Sequence, residues 1–377
     1  MRERGKLTEV IKVFFKLGLI AFGGPAAHIA MMEEEVVNKR KWMSRQHFLD
    51  LMGATNLIPG PNSTEMTMHC GYERAGYPGL FAAGISFIFP AVVLTGFLGF
   101  LYVEYGTLPQ VEPFLYGIKP AVLAIIAGAV LKLGKKALKN ATLGVLGALV
   151  VVAAFLGLNE IAAILGAGVL AIIWFGIKNK QGSAKSWLPV MYISTANIVM
   201  PTAISTSKIF WVFLKVGSVL FGSGYVLVAY LDGELVQKLH WLTEQQLLDA
   251  IAIGQFTPGP VLSTATFVGY QLNGVAGALA ATAGIFLPSF VFVMLLNPLV
   301  NRLRKSKATA YFLDGVNIGA VGIMLAVLLQ MTESIVIDWR AAVIALIGAL
   351  AVFGPKKISS LYIVLGGAVL GYLLSLL

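Results

Sequence analysis

The chain has 377 residues, of which 58% are hydrophobic and 12% are charged, and its mean hydropathy is +0.82. A water-soluble protein of this length cannot bury so much apolar surface, so the composition excludes a soluble globular fold. We attribute the formal net charge of +10 to membrane topology rather than to nucleic-acid binding. The single cysteine, Cys70, excludes an internal disulfide and a thiolate cluster.

Apolar runs recur along the whole chain, and many are long enough for a helix to cross about 30 Å of hydrocarbon. They occupy residues 10–31, 78–103, 113–131, 141–158, 161–177, 209–230, 274–299, 310–330, 340–353 and 358–376. The sequence therefore predicts an all-α polytopic membrane protein with about ten transmembrane helices.

Two further segments, residues 48–70 and 247–270, are only weakly apolar and rich in glycine. Pro59-Gly60-Pro61 interrupts the first, and Pro258-Gly259-Pro260 interrupts the second. Proline removes a backbone donor, and irregular backbone at membrane depth requires protein or a wet cavity around it. We predict a broken or re-entrant helix at each triplet.

The chain is a tandem duplication. VFFKLGLIAFG at 13–23 matches VFLKVGSVLFG at 212–222, and the same offset of 199 pairs Asp50 with Asp249 and aligns the two triplets. A period near 200 residues is typical of two transporter halves. The predicted domains are residues 1–180, a connecting segment at 181–207, and residues 208–377.

Loop charges indicate that the two halves are inverted in the membrane. One loop of the first half is strongly basic and contains Lys132, Lys135, Lys136 and Lys139. Its counterpart in the second half contains Glu333, Asp338 and Arg340. Inversion requires an odd number of spans in each half, which five spans and one re-entrant segment satisfy. With the basic loops inside, this count places both termini outside, in conflict with the basic amino end.

The residues after each triplet resemble helix caps at a helix amino end. The first triplet precedes Asn62, Ser63, Thr64 and Glu65, and the second precedes Val261, Leu262, Ser263 and Thr264. Helix amino ends carry spare N–H donors and partial positive charge, so two facing ends predict a site for a tetrahedral oxyanion. The alternative is that the triplets are kinks that only permit helix packing, as the nearby FGGP at 22–25 and FGSG at 221–224 also could.

Ionisable residues inside apolar runs are costly and therefore functional candidates. Lys119 is predicted to offset the charge of an anion, and its counterpart in the second half is Asn317. Candidates for proton uptake are Asp314, His28, Glu65 and His69. The alternative for each of these four is a satisfied structural hydrogen bond.

Other charged residues have simpler interpretations. Lys16 and Lys215 are equivalent by repeat, and we assign both to snorkelling at the membrane interface. The acidic run at 33–35 is interpreted as a solvated loop.

Four longer motifs resemble the chromate ion transporter family in its long, two-domain form. They are FGGPAAHIAMM at 22–32, NLIPGPNSTE at 56–65, GQFTPGPVLSTATFVGY at 254–270 and IFLPSF at 285–290. The resemblance covers nearly the whole chain. It implies an inner-membrane carrier that exports chromate with the proton gradient as energy source, with sulfate as a related anion.

The resemblance also extends the candidate site by position. Asn56 departs from the family pattern, because a glutamine is expected at this position, as at Gln255 in the second half. The shorter amide leaves fine substrate preference open. The complete set of predicted substrate-binding residues is Gly23, Gly24, His28, Asn56, Gly60, Asn62, Ser63, Thr64, Lys119, Gly222, Ser223, Gly224, Gln255, Thr257, Gly259, Ser263 and Thr264.

Two rival functions remain open at this stage. One is a passive channel or a carrier of another oxyanion such as sulfate. The other is a membrane enzyme, disfavoured because the chain has no dinucleotide fingerprint and its four histidines lack metal-ligand spacing. We expect no metal or other cofactor and no nucleic acid, and the expected partners are an oxyanion, protons and the lipid bilayer. The oligomeric state stays open, a homodimer included.

Overall fold

The structure is a computed structural model, and it describes residues 2–21, 25–55, 58–106, 108–178, 204–221, 224–296, 306–355 and 358–376. In this part of the chain the regular structure is helical. It contains fourteen α-helices: α1 Arg2–Ile20, α2 Pro25–Met32, α3 Arg45–Thr55, α4 Asn62–Tyr105, α5 Glu112–Ala137, α6 Ala141–Phe155, α7 Glu160–Lys178, α8 Thr206–Val219, α9 Leu227–Leu231, α10 Glu244–Phe256, α11 Thr264–Leu296, α12 Lys307–Ile335, α13 Trp339–Phe353 and α14 Ser360–Ser375.

The first apolar run folds back on itself instead of crossing as one helix. Helix α1 ends at Ile20, and α2 continues into a π-helix over Glu33–Lys39. Nζ of Lys16 lies 3.1 Å from Oε1 of Glu35, and Nε1 of Trp42 donates to Oε1 of Glu9 over 3.2 Å. The predicted single span at 10–31 is therefore wrong, because the returning segment lies antiparallel to α1.

The predicted break at each proline–glycine–proline triplet is observed. Helices α3 and α4 flank the first triplet, and α10 and α11 flank the second. A Cβ added to Gly254 would lie 3.1 Å from Cβ of Thr264, so α10 and the start of α11 are in close contact on either side of the triplet. Each triplet is thus the tip of a helical hairpin.

Helices α4 and α11 are each divided by a sharp turn. Ala75 and Gly76 interrupt α4, with Gly76 at a φ of 63°, which separates α4a (62–74) from α4b (77–105). Asn273 and Gly274 interrupt α11 in the same way, which separates α11a (264–272) from α11b (275–296). Gly71 contacts the backbone of Gly79, so α4a folds against α4b.

Equivalent features recur in the second half at nearly the same offset as in the sequence. The π-helix at Glu33–Lys39 has a counterpart at Asp232–Lys238. The positive φ angle of Lys41, 52°, recurs at His240, 51°. The run at 209–230, predicted as one span, is also divided, since α8 ends at Val219.

Within the described residues, four helices are long and apolar enough to cross a membrane: α4, α5, α11 and α12. Helices α6, α7, α13 and α14 are shorter and also apolar. On α4b the side chains of Ile85, Phe89, Val93 and Phe97 follow one another every four residues, and each is more than half exposed. Such an apolar face is expected against lipid, and the chain is a multi-pass membrane protein. The predicted domain boundaries remain predictions, because the connecting segment lies mostly outside the described residues.

Candidate functional site

The tips of hairpins from the two halves are hydrogen-bonded to one another, and we call this region the crossing. In each half the first hairpin is α1 with α2, or α8 with α9, and the second hairpin has the triplet at its tip. The backbone N–H of Gly60 donates to the carbonyl of Leu220, at the end of α8, over 2.7 Å. The N–H of Gly259 donates to the carbonyl of Ala21, at the end of α1, over 2.9 Å. Each triplet is therefore bonded to the first hairpin of the other half. Both glycines have positive φ angles, 139° and 88°, which side chains with a Cβ rarely adopt.

This crossing of tips lies beside the long helices α4b and α11b, well away from their ends. A Cβ on Gly259 would lie 2.9 Å from Cβ of Ala91, which is near the middle of α4b. Gly60 faces the hydroxyl of Ser289 on α11b. The crossing is thus in contact with interior turns of both long helices.

Two hydroxyls at the crossing occupy equivalent repeat positions and lack hydrogen-bond partners among the described residues. They are Oγ1 of Thr64 and Oγ of Ser263, and both side chains are buried. A buried hydroxyl without a partner costs free energy, so each member of this equivalent pair is available to donate a hydrogen bond to a ligand. The carboxylate of Glu65 is also fully buried and faces Ser289 beside Gly60.

His28 belongs to the same region. Its ring is buried and meets the ring of Phe87 edge-on, with centroids 5.7 Å apart. Phe87 in turn contacts Gly18, near the end of α1. His69 is buried on α4a, one turn beyond Glu65.

A second group of polar residues lines a separate cavity of about 510 Å³. Nζ of Lys119 lies 3.8 Å from Oδ1 of Asp249, and the hydroxyl of Tyr102 donates to Oδ2 of Asp249 over 2.7 Å. No tip residue named above is among the described residues that line this cavity. The sequence led us to expect Lys119 in one pocket with the triplets. The structure instead places Lys119 in a separate cavity.

Most of the other predicted residues divide into three groups. Thr257 and Gly224 are buried beside the tips, and Gln255 lies in the last turn of α10. Asp314 is away from both sites, because it forms an ion pair of 2.6 Å with Lys139 at the far end of α5. The residues that lie outside the described part of the chain are Gly23, Gly24, Asn56, Gly222 and Ser223.

Sequence reasoning missed the roles of Asp249 and of two buried glutamates. Asp249 stands in an apolar stretch of α10, and the criterion that selected Lys119 applies to it equally. Lys16 pairs with Glu35, and Lys215 pairs with Glu234, so snorkelling is the wrong interpretation of both lysines.

The solvated loop predicted at 33–35 is also wrong, since these residues begin a π-helix in which Glu35 is buried. Burial acts to raise the pKa of Glu35, but the hydrogen bond from Lys16 and the charges of Arg40 and Lys39 outweigh it and hold that pKa below its ordinary value.

The chromate transporter family model matches two segments of the chain, residues 8–172 and 207–372. The chain belongs to the chromate transporter family. It is 32% identical to the chromate transport protein of Cupriavidus metallidurans over 373 residues, which cover 97% of this chain and 92% of the relative. It is 30% identical to the chromate transport protein of Pseudomonas aeruginosa, over 85% of this chain and 80% of that protein.

An uncharacterized transporter of Methanocaldococcus jannaschii is 28% identical over 99% of this chain and 96% of its own length. No solved structure matches. Since the family and these relatives are transporters, this chromate transporter family member is a transport protein and not an enzyme.

Proposed function

We propose that this protein exports chromate across the inner, cytoplasmic membrane, with the proton gradient as its energy source and sulfate as a related substrate. The observation that carries the proposal is the crossing of hairpin tips with its paired hydroxyls. A tetrahedral dianion needs several hydrogen-bond donors in a site that excludes bulk water. Oγ1 of Thr64 and Oγ of Ser263 are buried donors from opposite halves, and neither is used elsewhere among the described residues.

Helix amino ends support the same site. Helix α4 begins at Asn62 directly after its triplet, and the second triplet is followed by a short 3₁₀ turn and then by α11. The partial positive charge at a helix amino end favours an anion there. The N–H groups of Gly60 and Gly259 are already bonded across the halves, so these two glycines hold the tips in place while the neighbouring hydroxyls contact the anion.

The two halves are proposed to be inverted in the membrane. Helices α5 and α12 are equivalent by repeat, and they lie antiparallel, since Lys139 pairs with Asp314 at one end and Tyr116 with Asp338 at the other. Helices α4b and α11b are also equivalent and antiparallel. Gly84, near the start of α4b, contacts Phe290 near the end of α11b, whereas Phe97 and Phe100, near the end of α4b, line one cavity with Val275 and Ala278 at the start of α11b.

The orientation follows from the charges on one face. Arg74 forms an ion pair of 2.6 Å with Glu9, so the amino end lies where α4a turns into α4b. Helix α5 returns to that same face, where Lys135 and Lys136 occupy its last turn. Because basic residues concentrate in the cytoplasm, we assign this face and the amino end to the cytoplasm. The folded-back first hairpin removes the conflict that a count of five spans created.

Accessibility of introduced cysteines tests this orientation. Cys70 is the chain's one cysteine and is buried, so the wild-type background is expected to be silent. A cysteine at Gly5 is expected to react with a membrane-impermeant maleimide in inverted vesicles and not in intact cells. Labelling of this position in intact cells would contradict the assignment.

Chromate uptake into inverted vesicles tests the function itself. We expect saturable uptake that sulfate inhibits and that falls when the pH gradient is collapsed. Gly259→Ala is expected to abolish uptake, because the added Cβ meets Ala91 and strains a positive φ. The matched control is Gly157→Ala, which also has a positive φ, 78°, but has nothing within 4 Å of the added Cβ.

Gly157→Ala thus introduces the same kind of backbone strain as Gly259→Ala but no steric contact at the crossing. Equal uptake by the two alanine variants would refute the assignment of the tips as the transport site. Uptake without any substrate-dependent proton flux in proteoliposomes would instead identify a passive anion channel.

A further inference from the structure

The cavity that contains Lys119 opens on the face opposite the basic loops. It is bordered by Glu112 at the start of α5, Thr243 before α10 and Ile337 after α12. Helix α5 has its lysines at its other end, on the face assigned to the cytoplasm. The cavity is therefore on the outer side of the protein.

Lys119 has the charge that an oxyanion requires. It is the one lysine or arginine among the described residues that line the cavity, and its side chain is 17% exposed. The 3.8 Å between its Nζ and Asp249 is longer than a hydrogen bond. The ammonium donors of Lys119 thus make no described hydrogen bond and remain available to a ligand in the cavity.

Asp249 occupies the position that an anion's oxygen would take. Its side chain is 4% exposed, and the hydroxyl of Tyr102 fixes Oδ2. Its other oxygen, Oδ1, faces Lys119 and accepts no hydrogen bond among the described residues. Because the carboxylate of Asp249 is held beside the ammonium of Lys119, it repels any further anion that approaches this ammonium.

We propose that Lys119 forms an outward-facing release site for the oxyanion and that Asp249 is a built-in competitor that keeps the affinity of this site low. With Glu112 also at the cavity, two carboxylates oppose one ammonium, so an anion that reaches Lys119 is released to the outside. This inference rests on the proposed function, since it assumes that the transported species is an oxyanion.

The repeat supplies a matched control. Asp50 is the counterpart of Asp249, but Asn317 stands where a second lysine would be needed to build the same pair. Asp50→Asn therefore removes an equivalent carboxylate without touching the Lys119 cavity.

Equilibrium dialysis of radiolabelled chromate against the purified full chain tests the proposal. We expect Asp249→Asn to bind chromate at least about tenfold more tightly than the wild type, because one unit of negative charge about 4 Å from the site is removed. Asp50→Asn is expected to leave the Kd unchanged. The double variant Asp249→Asn with Lys119→Gln is expected to lose the gain.

A second variant keeps the test decisive if Asp249→Asn does not fold, as judged by size-exclusion chromatography. Asp249→Glu keeps the charge and brings it closer to Lys119, so chromate binding is expected to weaken. Unchanged or weaker binding by folded Asp249→Asn, or tighter binding by Asp249→Glu, in a protein that transports chromate would overturn this inference alone. Absence of chromate and sulfate transport by the wild type would refute the proposed function instead.

Discussion

Helix α14 offers two adjacent glycines that separate close packing from helix propensity. A Cβ on Gly367 would lie 2.6 Å from Cβ of Ala121 and 2.7 Å from the carbonyl oxygen of Gly117, both on α5. Carbon atoms in contact prefer about 3.5–4.0 Å, so Gly367→Ala must push α14 and α5 apart by about 1 Å. Gly366 has nothing within 4 Å of an added Cβ.

The magnitude follows from the difference between the two variants. Both gain about 1 kcal/mol of helix propensity from glycine to alanine, so this contribution cancels in the comparison. Overpacking typically costs about 1–3 kcal/mol, and only Gly367→Ala has that cost. Gly367→Ala is therefore expected to be less stable than Gly366→Ala by about 1–3 kcal/mol.

Thermal stability in detergent measures this difference. At roughly 2 °C per kcal/mol for a chain of this size, Gly367→Ala should melt about 2–6 °C below Gly366→Ala. Equal melting temperatures, or a lower value for Gly366→Ala, would refute the packing argument. Lys119 lies on α5 between the two contacts of Gly367, so transport by Gly367→Ala should also fall below that of its neighbour variant.

Three further outcomes are expected. Lys215→Met should lower the free energy of unfolding by about 1–3 kcal/mol, because it removes the nearer of the two lysines that pair with buried Glu234, the other being Lys238. Lys215 itself is partly exposed, and adding Glu234→Gln should recover part of that loss in thermal melts. Hydrogen bonds from the N–H of Ala341 and, to a smaller extent, from the hydroxyl of Tyr116 hold the pKa of Asp338 below its ordinary value. The stabilising contribution of Asp338 is therefore present above about pH 4 and is lost as the pH falls further. Asp338→Asn should show a smaller drop in melting temperature than the wild type between pH 5 and pH 3. Cys70 should react with a maleimide only after denaturation, and labelling of the folded protein would contradict its burial.

Hydropathy predicted the later helices of each half closely. The runs at 113–131 and 340–353 correspond to Glu112–Ala137 and Trp339–Phe353. These helices follow one apolar run each, and side-chain caps such as that of Asp338 mark where they begin. The first run of each half could not be resolved in this way, because an apolar pair of short helices that folds back has the same hydropathy as one crossing helix. The contact between Lys16 and Glu35 decides between them, and it is a tertiary contact.

The candidate site was predictable in its parts and not in its assembly. Proline and glycine at the triplets predicted the breaks from local backbone chemistry. The bond from Gly60 to Leu220 depends on how the halves meet, which no local pattern contains. Asp249 was visible as a charge in an apolar stretch, but only its 3.8 Å separation from Lys119 gives that charge a role.

The exchange of bonds from Gly60 to Leu220 and from Gly259 to Ala21 makes the two halves mutually dependent. In a half expressed alone, the N–H of the triplet glycine would lack its acceptor, and the carbonyl at the end of the first helix would lack its donor. Neither half is therefore expected to transport on its own. Two halves made as separate polypeptides should restore chromate uptake only when both are present in the same membrane. Such a result would be intragenic complementation.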